Sequence, residues 1–254
     1  MAETKIMLGE TPVTRIGLGT NRLANTPENV AFIQEAVAAG VGLIDSAYSY
    51  AGGESETTIG EALSSSGERC VVATKGGLHG GRPEVLEAEI EESLRRLRTD
   101  SIDLYYLHKP DPEVPLEESL GPIERHRQRG TIRYVGVSNV SLEQLERARG
   151  VAPIVAVQNH YNLAQRSHED VIDYCADNGI VFVPYFPLRD DGGPAAAEIA
   201  ERHGATPAQV ILAWLLRRSS TTLPIPGTLS LDHLKEDLAA LGIELGEEEF
   251  EALN

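Results

Sequence analysis

The chain has 254 residues, 41% of them hydrophobic and 24% charged, and it carries a formal net charge of −17 at neutral pH. That length and balance describe a soluble globular protein with a large core. The acidic surplus repels nucleic acid and anionic lipid, so neither is expected as a partner.

Cys70 and Cys175 stand far apart, with no CxxC or metal-ligand spacing around them. They read as two buried thiols in a reducing cytoplasm, and no metal is expected. Met1-Ala-Glu-Thr4 lacks the basic and apolar segments of a signal peptide, and no apolar run reaches the length of a membrane span. A cytoplasmic protein without a membrane partner is therefore expected, with the whole chain, residues 1–254, as one domain. Nothing in the pattern suggests an exposed apolar seam, so a monomer is expected.

In chain order, Lys5-Ile-Met-Leu8 and the turn-like Gly9-Glu-Thr-Pro12 predict a short hairpin at the barrel floor. Eight short apolar runs follow, at Arg15–Gly19, Gly42–Asp45, Cys70–Thr74, Ser101–Leu107, Tyr134–Val137, Ile154–Val157, Val181–Pro184 and Thr222–Ile225. Their near-continuous apolar character suits parallel strands buried on both faces. Helical patterns lie between most of them. Pro27–Ala39 stops at Gly40, and Pro83–Leu97 opens on a proline. Leu116–Arg129 stops at Gly130, and Ser141–Ala148 opens with a capping-box spacing. Ser167–Asp177, Pro194–Arg202, Pro207–Arg217, Leu231–Ala240 and Glu247–Ala252 complete the set. Strand and helix alternate through eight strands, which predicts an α/β fold, a (β/α)8 TIM barrel with an N-terminal β-hairpin.

Active sites of such barrels sit at the C-terminal ends of the strands. The predicted strands deliver Gly19-Thr20-Asn21, Asp45, Lys75, His108, Ser138-Asn139, Gln158, Tyr185 and Gly227-Thr228 to that rim, with Tyr48 and Tyr50 just after Asp45. A tyrosine hydroxyl ordinarily titrates near pH ~10, too high for easy proton exchange at neutral pH. A nearby ammonium lowers that value, and Lys75 is placed to supply it. Asp45 would hold the lysine charged, and His108 would position a carbonyl oxygen or share in proton relay. The set suits protonation of a developing alkoxide and contains no evident acyl nucleophile.

The same residues carry a resemblance. Gly40-Val-Gly-Leu-Ile-Asp45-Ser-Ala-Tyr-Ser-Tyr50 followed by Gly52-Gly-Glu-Ser-Glu56 resembles the first signature of the aldo-keto reductase family. Val71-Val-Ala-Thr-Lys75, Asp103-Leu-Tyr-Tyr-Leu-His108 and Tyr134-Val-Gly-Val-Ser-Asn139 resemble the next three, and the likeness runs from about residue 12 to about residue 240. The resemblance implies an oxidoreductase that passes hydride between nicotinamide C4 and the carbonyl carbon of an aldehyde or ketone, or runs the reverse alcohol oxidation. By position Tyr50 is the general acid, Lys75 and Asp45 its tuning pair, and His108 the orienting group. Ser138, Asn139 and Gln158 would hold the carboxamide and Tyr185 would stack on the ring. Gly19, Thr20, Asn21, Asp45, Phe186, Pro187, Leu188, Ile225, Gly227 and Thr228 would complete the cofactor site.

The chain departs from the family pattern after the eighth strand. Gly227 and His233 stand where many relatives have a lysine and an arginine for the adenosine 2′-phosphate. Backbone N–H groups at Gly227 and Thr228, with His233 when protonated, would take that phosphate instead. NADPH/NADP+ is thus favoured over NADH/NAD+, with Glu236 and Asp237 placed for the adenine amino group. The connection after Leu188 and the end at Asn254 are short, which predicts an open site. Leu23, Tyr48, His79 and Phe186 are expected to line the substrate pocket. Two other readings fit less well. A cofactor-binding redox-sensing barrel would not need the intact Asp45, Tyr50, Lys75 and His108, and a sugar-phosphate barrel enzyme would need only the Gly227-Thr228 turn. A Rossmann reading fails because Arg22 replaces the third glycine of Gly17-Leu-Gly19-Thr-Asn-Arg22.

Overall fold

The computed structural model describes residues 4–64 and 69–254; the first three residues of the Met1–Thr4 stretch read above for a leader lie outside the described residues. Strand β1 (Lys5–Leu8) pairs antiparallel with β2 (Thr11–Thr14) across a two-residue turn, with Gly9 at a φ of +57°. Leu8 and Val13 pack among Leu43, Val71, Leu104, Val181 and Leu223, so the hairpin closes one end of the barrel interior.

Among the described residues, seven parallel strands follow in sequence order, each beside the next: β3 (Leu18–Gly19), β4 (Leu43–Asp45), β5 (Val71–Gly76), β6 (Ile102–Leu107), β7 (Ile132–Ser138), β8 (Ile154–His160) and β9 (Val181–Tyr185). The register sets Asp45 beside Ala73, Lys75 beside Tyr106, Ser138 beside Gln158 and His160 beside Tyr185. The eighth stave, expected as a strand over Thr222–Ile225, is reduced to isolated bridges, Phe182 to Thr222 and Gly19 to Gly227. The cause is Pro224 and Pro226. Their carbonyls accept from the Gly17 and Gly19 N–H groups at 3.0 and 2.9 Å, but proline has no N–H to return to β3. On the other side Leu223 N–H donates to the Phe182 carbonyl at 2.8 Å. The sheet thus closes as a barrel through a stave that mostly accepts.

Helices α1 (Pro27–Ala38), α2 (Glu54–Ser64), α3 (Pro83–Leu97), α4 (Leu116–Arg129), α5 (Leu142–Arg149), α6 (Glu169–Asn178), α7 (Gly193–His203), α8 (Pro207–Arg218), α9 (Leu231–Ala239) and α10 (Glu247–Ala252) surround the strands. Their starts follow from capping chemistry. Thr26 accepts from the Asn29 N–H ahead of Pro27, and Ser141 with Gln144 and Thr206 with Gln209 form complete capping boxes. The sequence reading has no counterpart for α2. No element is expected over these residues from the sequence; Gly60, inside the helix, is where α2 meets α3, since a β-carbon there would stand 2.8 Å from the Leu97 Cα. The smaller core lies inside the barrel and the larger one between strands and helices.

Candidate active site

The polar strand ends converge on one cavity of about 780 Å³ at the C-terminal mouth of the barrel. Asp45 ends β4, Lys75 lies one residue from the end of β5, and His108 directly follows β6. Side chains alternate along a strand, so Asp45 and Lys75 face the interior while Ser46 and Thr74 face the helices.

Lys75 is fully buried, and its Nζ donates to Asp45 Oδ1 and to the Ser46 carbonyl, both at 2.6 Å, and to Tyr50 Oη at 3.5 Å. The second Asp45 oxygen accepts from Gln158 Nε2 at 2.8 Å. Burial alone would pull the Lys75 pKa down, but the Asp45 carboxylate and the Tyr50 hydroxyl outweigh it and hold the ammonium above its ordinary range. The lysine therefore stays charged beside the tyrosine, with its Nζ also 4.8 Å from the Tyr50 ring centre. His108 behaves in the opposite way. Burial, and then the Lys75 charge, push its pKa down to about 3, so the imidazole is neutral at physiological pH. Its ring stands edge-on to Tyr50, centroids 6.1 Å apart. Its Nδ1 is buried without a hydrogen-bond partner among the described residues.

The far wall is aromatic. Tyr185 stacks on His160 with centroids 5.2 Å apart and planes 8° from parallel, and Phe186 meets both edge-on. Tyr185 Oη donates to Asn139 Oδ1 at 2.7 Å, while Asn139 Nδ2 donates to the His108 carbonyl and to Ser138 Oγ. Asn139 and Phe186 both hold positive φ, at +58° and +53°, and Asn162 Nδ2 donates to the Phe186 carbonyl at 3.0 Å.

Of the residues expected at the cofactor site, Gly19, Thr20, Asn21, Asp45, Ser138, Asn139, Gln158, Tyr185, Phe186, Pro187, Leu188, Ile225 and Gly227 line this cavity, with Tyr50 and His108. Four others lie beyond its lining. Thr228 Oγ1 accepts from the Ser230 N–H, and His233 is exposed in the first turn of α9. Glu236 accepts from Thr206 Oγ1 at 2.7 Å, and Asp237 is buried, its carboxyl pushed up to about 7 by that burial and by Glu236. Three of the expected pocket residues point elsewhere. Leu23 is fully buried in the outer core because an apolar side chain on that loop turns under it. The Tyr48 ring lies under the Arg96 guanidinium, 4.4 Å away, on the helix side of the barrel. His79 is exposed and outside the lining. The sequence reading missed Arg22, Leu78, Arg189 and Pro226, all of which line the cavity, and His160 behind Tyr185. His160 had a signal: it lies two residues after Gln158 in one strand, hence on the same face.

The charge of the lining suits an anionic cofactor. Arg22 and Arg189 line it, and Asp45, the other charged residue in the lining, is neutralised by Lys75. The mouth of a strongly acidic protein is thus locally cationic, as an anionic ligand requires. Among the described residues no cluster of three His, Cys, Asp or Glu is placed to hold a metal, and no helix is long and apolar enough to cross a membrane.

The sequence model of the Aldo/keto reductase family matches residues 15–254. The chain belongs to this family. It is 35% identical to pyridoxine 4-dehydrogenase of Escherichia coli, over all of this chain and 98% of that protein. Among solved structures it is similar to a thermostable aldo-keto reductase in complex with the inhibitor epalrestat, at 36% identity, TM-score 0.90 and 98% of each chain. An aldo/keto reductase of Klebsiella pneumoniae, solved with NADP and acetate, matches at 31% identity and TM-score 0.89, over 98% of this chain and 94% of that one. As an aldo-keto reductase the chain is an oxidoreductase of carbonyl compounds.

Proposed function

We propose that this aldo-keto reductase reduces small aldehydes or ketones with NADPH, or oxidises the matching alcohols with NADP+, with Tyr50 as the proton-transfer residue. One observation carries the reading: Tyr50 Oη stands at the cavity beside the buried Lys75 ammonium, which is itself anchored by Asp45 at 2.6 Å. A nicotinamide bound in the cavity would supply the hydride to the carbonyl carbon, or remove it in the reverse direction.

The protein's own part is positioning and proton transfer. Neutral His108 offers a hydrogen bond to the carbonyl oxygen without competing for its proton. Tyr50 Oη gives a proton to that oxygen as negative charge builds on it, and the Lys75 ammonium stabilises the phenolate left behind. Asp45 keeps Lys75 in place and is itself held by Gln158. Tyr185, backed by His160, presents a flat face for the nicotinamide, while Ser138 and Asn139 supply polar groups for its carboxamide. Arg22 and Arg189 are the cations available to the cofactor phosphates where lysine and arginine are missing at positions 227 and 233.

The test is NADPH oxidation against a panel of small aldehydes by wild type and Tyr50→Phe. The variant should bind NADPH as wild type does and lose about 10²-fold or more in kcat. Unchanged turnover in Tyr50→Phe would overturn the reading.

A further inference from the structure

The loop that carries Tyr50 is conformationally expensive. Ala51, Gly52 and Gly53 hold three consecutive positive φ values, +49°, +65° and +99°. Alanine reaches that region only at a cost, and such a conformation persists where the surroundings over-determine it. The determining contacts come from outside the barrel. Arg96, near the end of α3, sends its guanidinium under the loop, with only 14% of its side chain exposed. Nη1 donates to the Tyr48 carbonyl at 2.9 Å, and the guanidinium stacks 4.4 Å from the Tyr48 ring. It also fills the space beneath Gly53, where any β-carbon would overlap Arg96 Cζ and Nη1.

The same guanidinium reaches the strand that carries Lys75. Arg96 Nη1 lies 3.3 Å from Glu56 Oε2, and the fully buried Glu56 accepts from Thr74 Oγ1 at 2.6 Å through its other oxygen. Thr74 is the chain neighbour of Lys75. Glu92 Oε1 accepts from Arg96 Nε at 2.9 Å and fixes the guanidinium plane. Next to Glu56, Ser55 Oγ bonds to Thr20 Oγ1 and Ser46 Oγ, each at 2.8 Å, which ties the first turn of α2 to two further strand ends.

We propose that Arg96 is a positioning residue that, through Tyr48, Gly53 and the Glu56–Thr74 link, sets Tyr50 Oη relative to Lys75 Nζ. The inference rests on Tyr50 being the proton-transfer residue. Lysine cannot replace arginine here, because one ammonium cannot stack on Tyr48 while bonding in plane to the Tyr48 carbonyl, Glu56 and Glu92. Arg96 is not among the residues that line the cavity, so it acts through the tyrosine.

A double-mutant cycle tests this in the full-length enzyme with NADPH and one aldehyde. Arg96→Lys should lower kcat about tenfold or more, the scale of a small misplacement of a reacting group, and leave the NADPH Kd, read by fluorescence quenching, within about twofold. In the Tyr50→Phe background, Arg96→Lys should change the residual kcat by less than about twofold, because the group it positions is gone. An equal loss in both backgrounds, or an NADPH Kd that worsens in step with kcat, would show general loosening and overturn the proposal. If Arg96→Lys does not fold, as judged by circular dichroism, Glu56→Gln is carried through the same cycle with the same criteria. Unchanged turnover in Tyr50→Phe alone would remove the proton-transfer reading and the positioning role together. A lost turnover in Tyr50→Phe with additive Arg96 effects would remove the positioning role only.

Discussion

Lys75 Nζ and Asp45 Oδ1 are 2.6 Å apart with side chains 0% and 2% exposed, so the lysine has almost no contact with water and one carboxylate as counter-ion. A buried pair of this kind contributes little net stability, yet removing one partner strands the other charge in a low dielectric. The arrangement makes sense as chemistry held in place: the carboxylate keeps a cation charged where burial would otherwise discharge it.

Asp45→Asn tests that statement. The variant keeps the shape and loses the counter-charge, so it should be destabilised by about 3–5 kcal/mol and should lose about 10²-fold in kcat. Thermal melting and steady-state kinetics check the two effects. A variant with wild-type turnover would disconnect the ion pair from the reaction.

His108 makes a prediction about pH. Its folded-state pKa is pushed to about 3 by burial and by Lys75, below an ordinary value of 6.5. The unfolded chain therefore binds a proton that the folded chain refuses. The contribution to stability is fully present above pH ~6.5 and is lost as pH falls toward ~3. The slope is at most about 1.4 kcal/mol per pH unit. His108→Gln should flatten the acid side of the stability curve in this window. Stability against pH, measured by urea unfolding of both proteins, checks it; parallel curves would show that His108 titrates normally.

Much of this site was legible because barrel chemistry lies at strand ends, and strand ends are marked by a change from apolar to polar residues. Asp45, Lys75, His108 and Gln158 each stand at such a change, and all four reach the mouth or its floor. What was not legible depends on directions the sequence does not encode. Tyr48 and Tyr50 are two residues apart on a loop, where the strand alternation no longer applies, and one ring lies under Arg96 while the other faces the cavity. Leu23 sits close in sequence to Asn21 yet turns inward. The eighth stave was placed correctly as a segment, but Pro224 and Pro226 deny it a regular ladder.

Cofactor choice can be tested from both sides. Arg189→Ala and Arg22→Ala should each raise the NADPH Kd about tenfold at low salt, the scale of one charge-assisted hydrogen bond, and by less at high salt. Conversely, the pair Gly227→Lys and His233→Arg should raise the preference for NADPH over NADH by about tenfold. A side chain fits at position 227, where a β-carbon would come no closer than 3.4 Å to another atom, and His233 is exposed. Titration of each variant with both cofactors checks the prediction. If neither arginine variant changes NADPH affinity, the phosphates are held by groups other than Arg22 and Arg189.

Gly60 links the fold to the site. Glycine in a helix interior ordinarily costs about 1 kcal/mol relative to alanine, so Gly60→Ala in α2 would be stabilising on propensity alone. Packing opposes it. A β-carbon at Gly60 would overlap the Arg96 carbonyl and stand 2.8 Å from the Leu97 Cα, and both are backbone atoms that cannot rotate away. Relieving the overlap moves the end of α3, at a typical cost of about 1–3 kcal/mol. The packing cost exceeds the propensity gain, so Gly60→Ala should be less stable, with Tm lower by a few degrees, on the scale of about 2–4 °C per kcal/mol for a chain this size. Because α3 carries Arg96, the same shift should lower kcat with little change in the NADPH Kd. A variant that melts higher than wild type would show that α2 and α3 separate freely, and would place Gly60 among ordinary helix-surface positions.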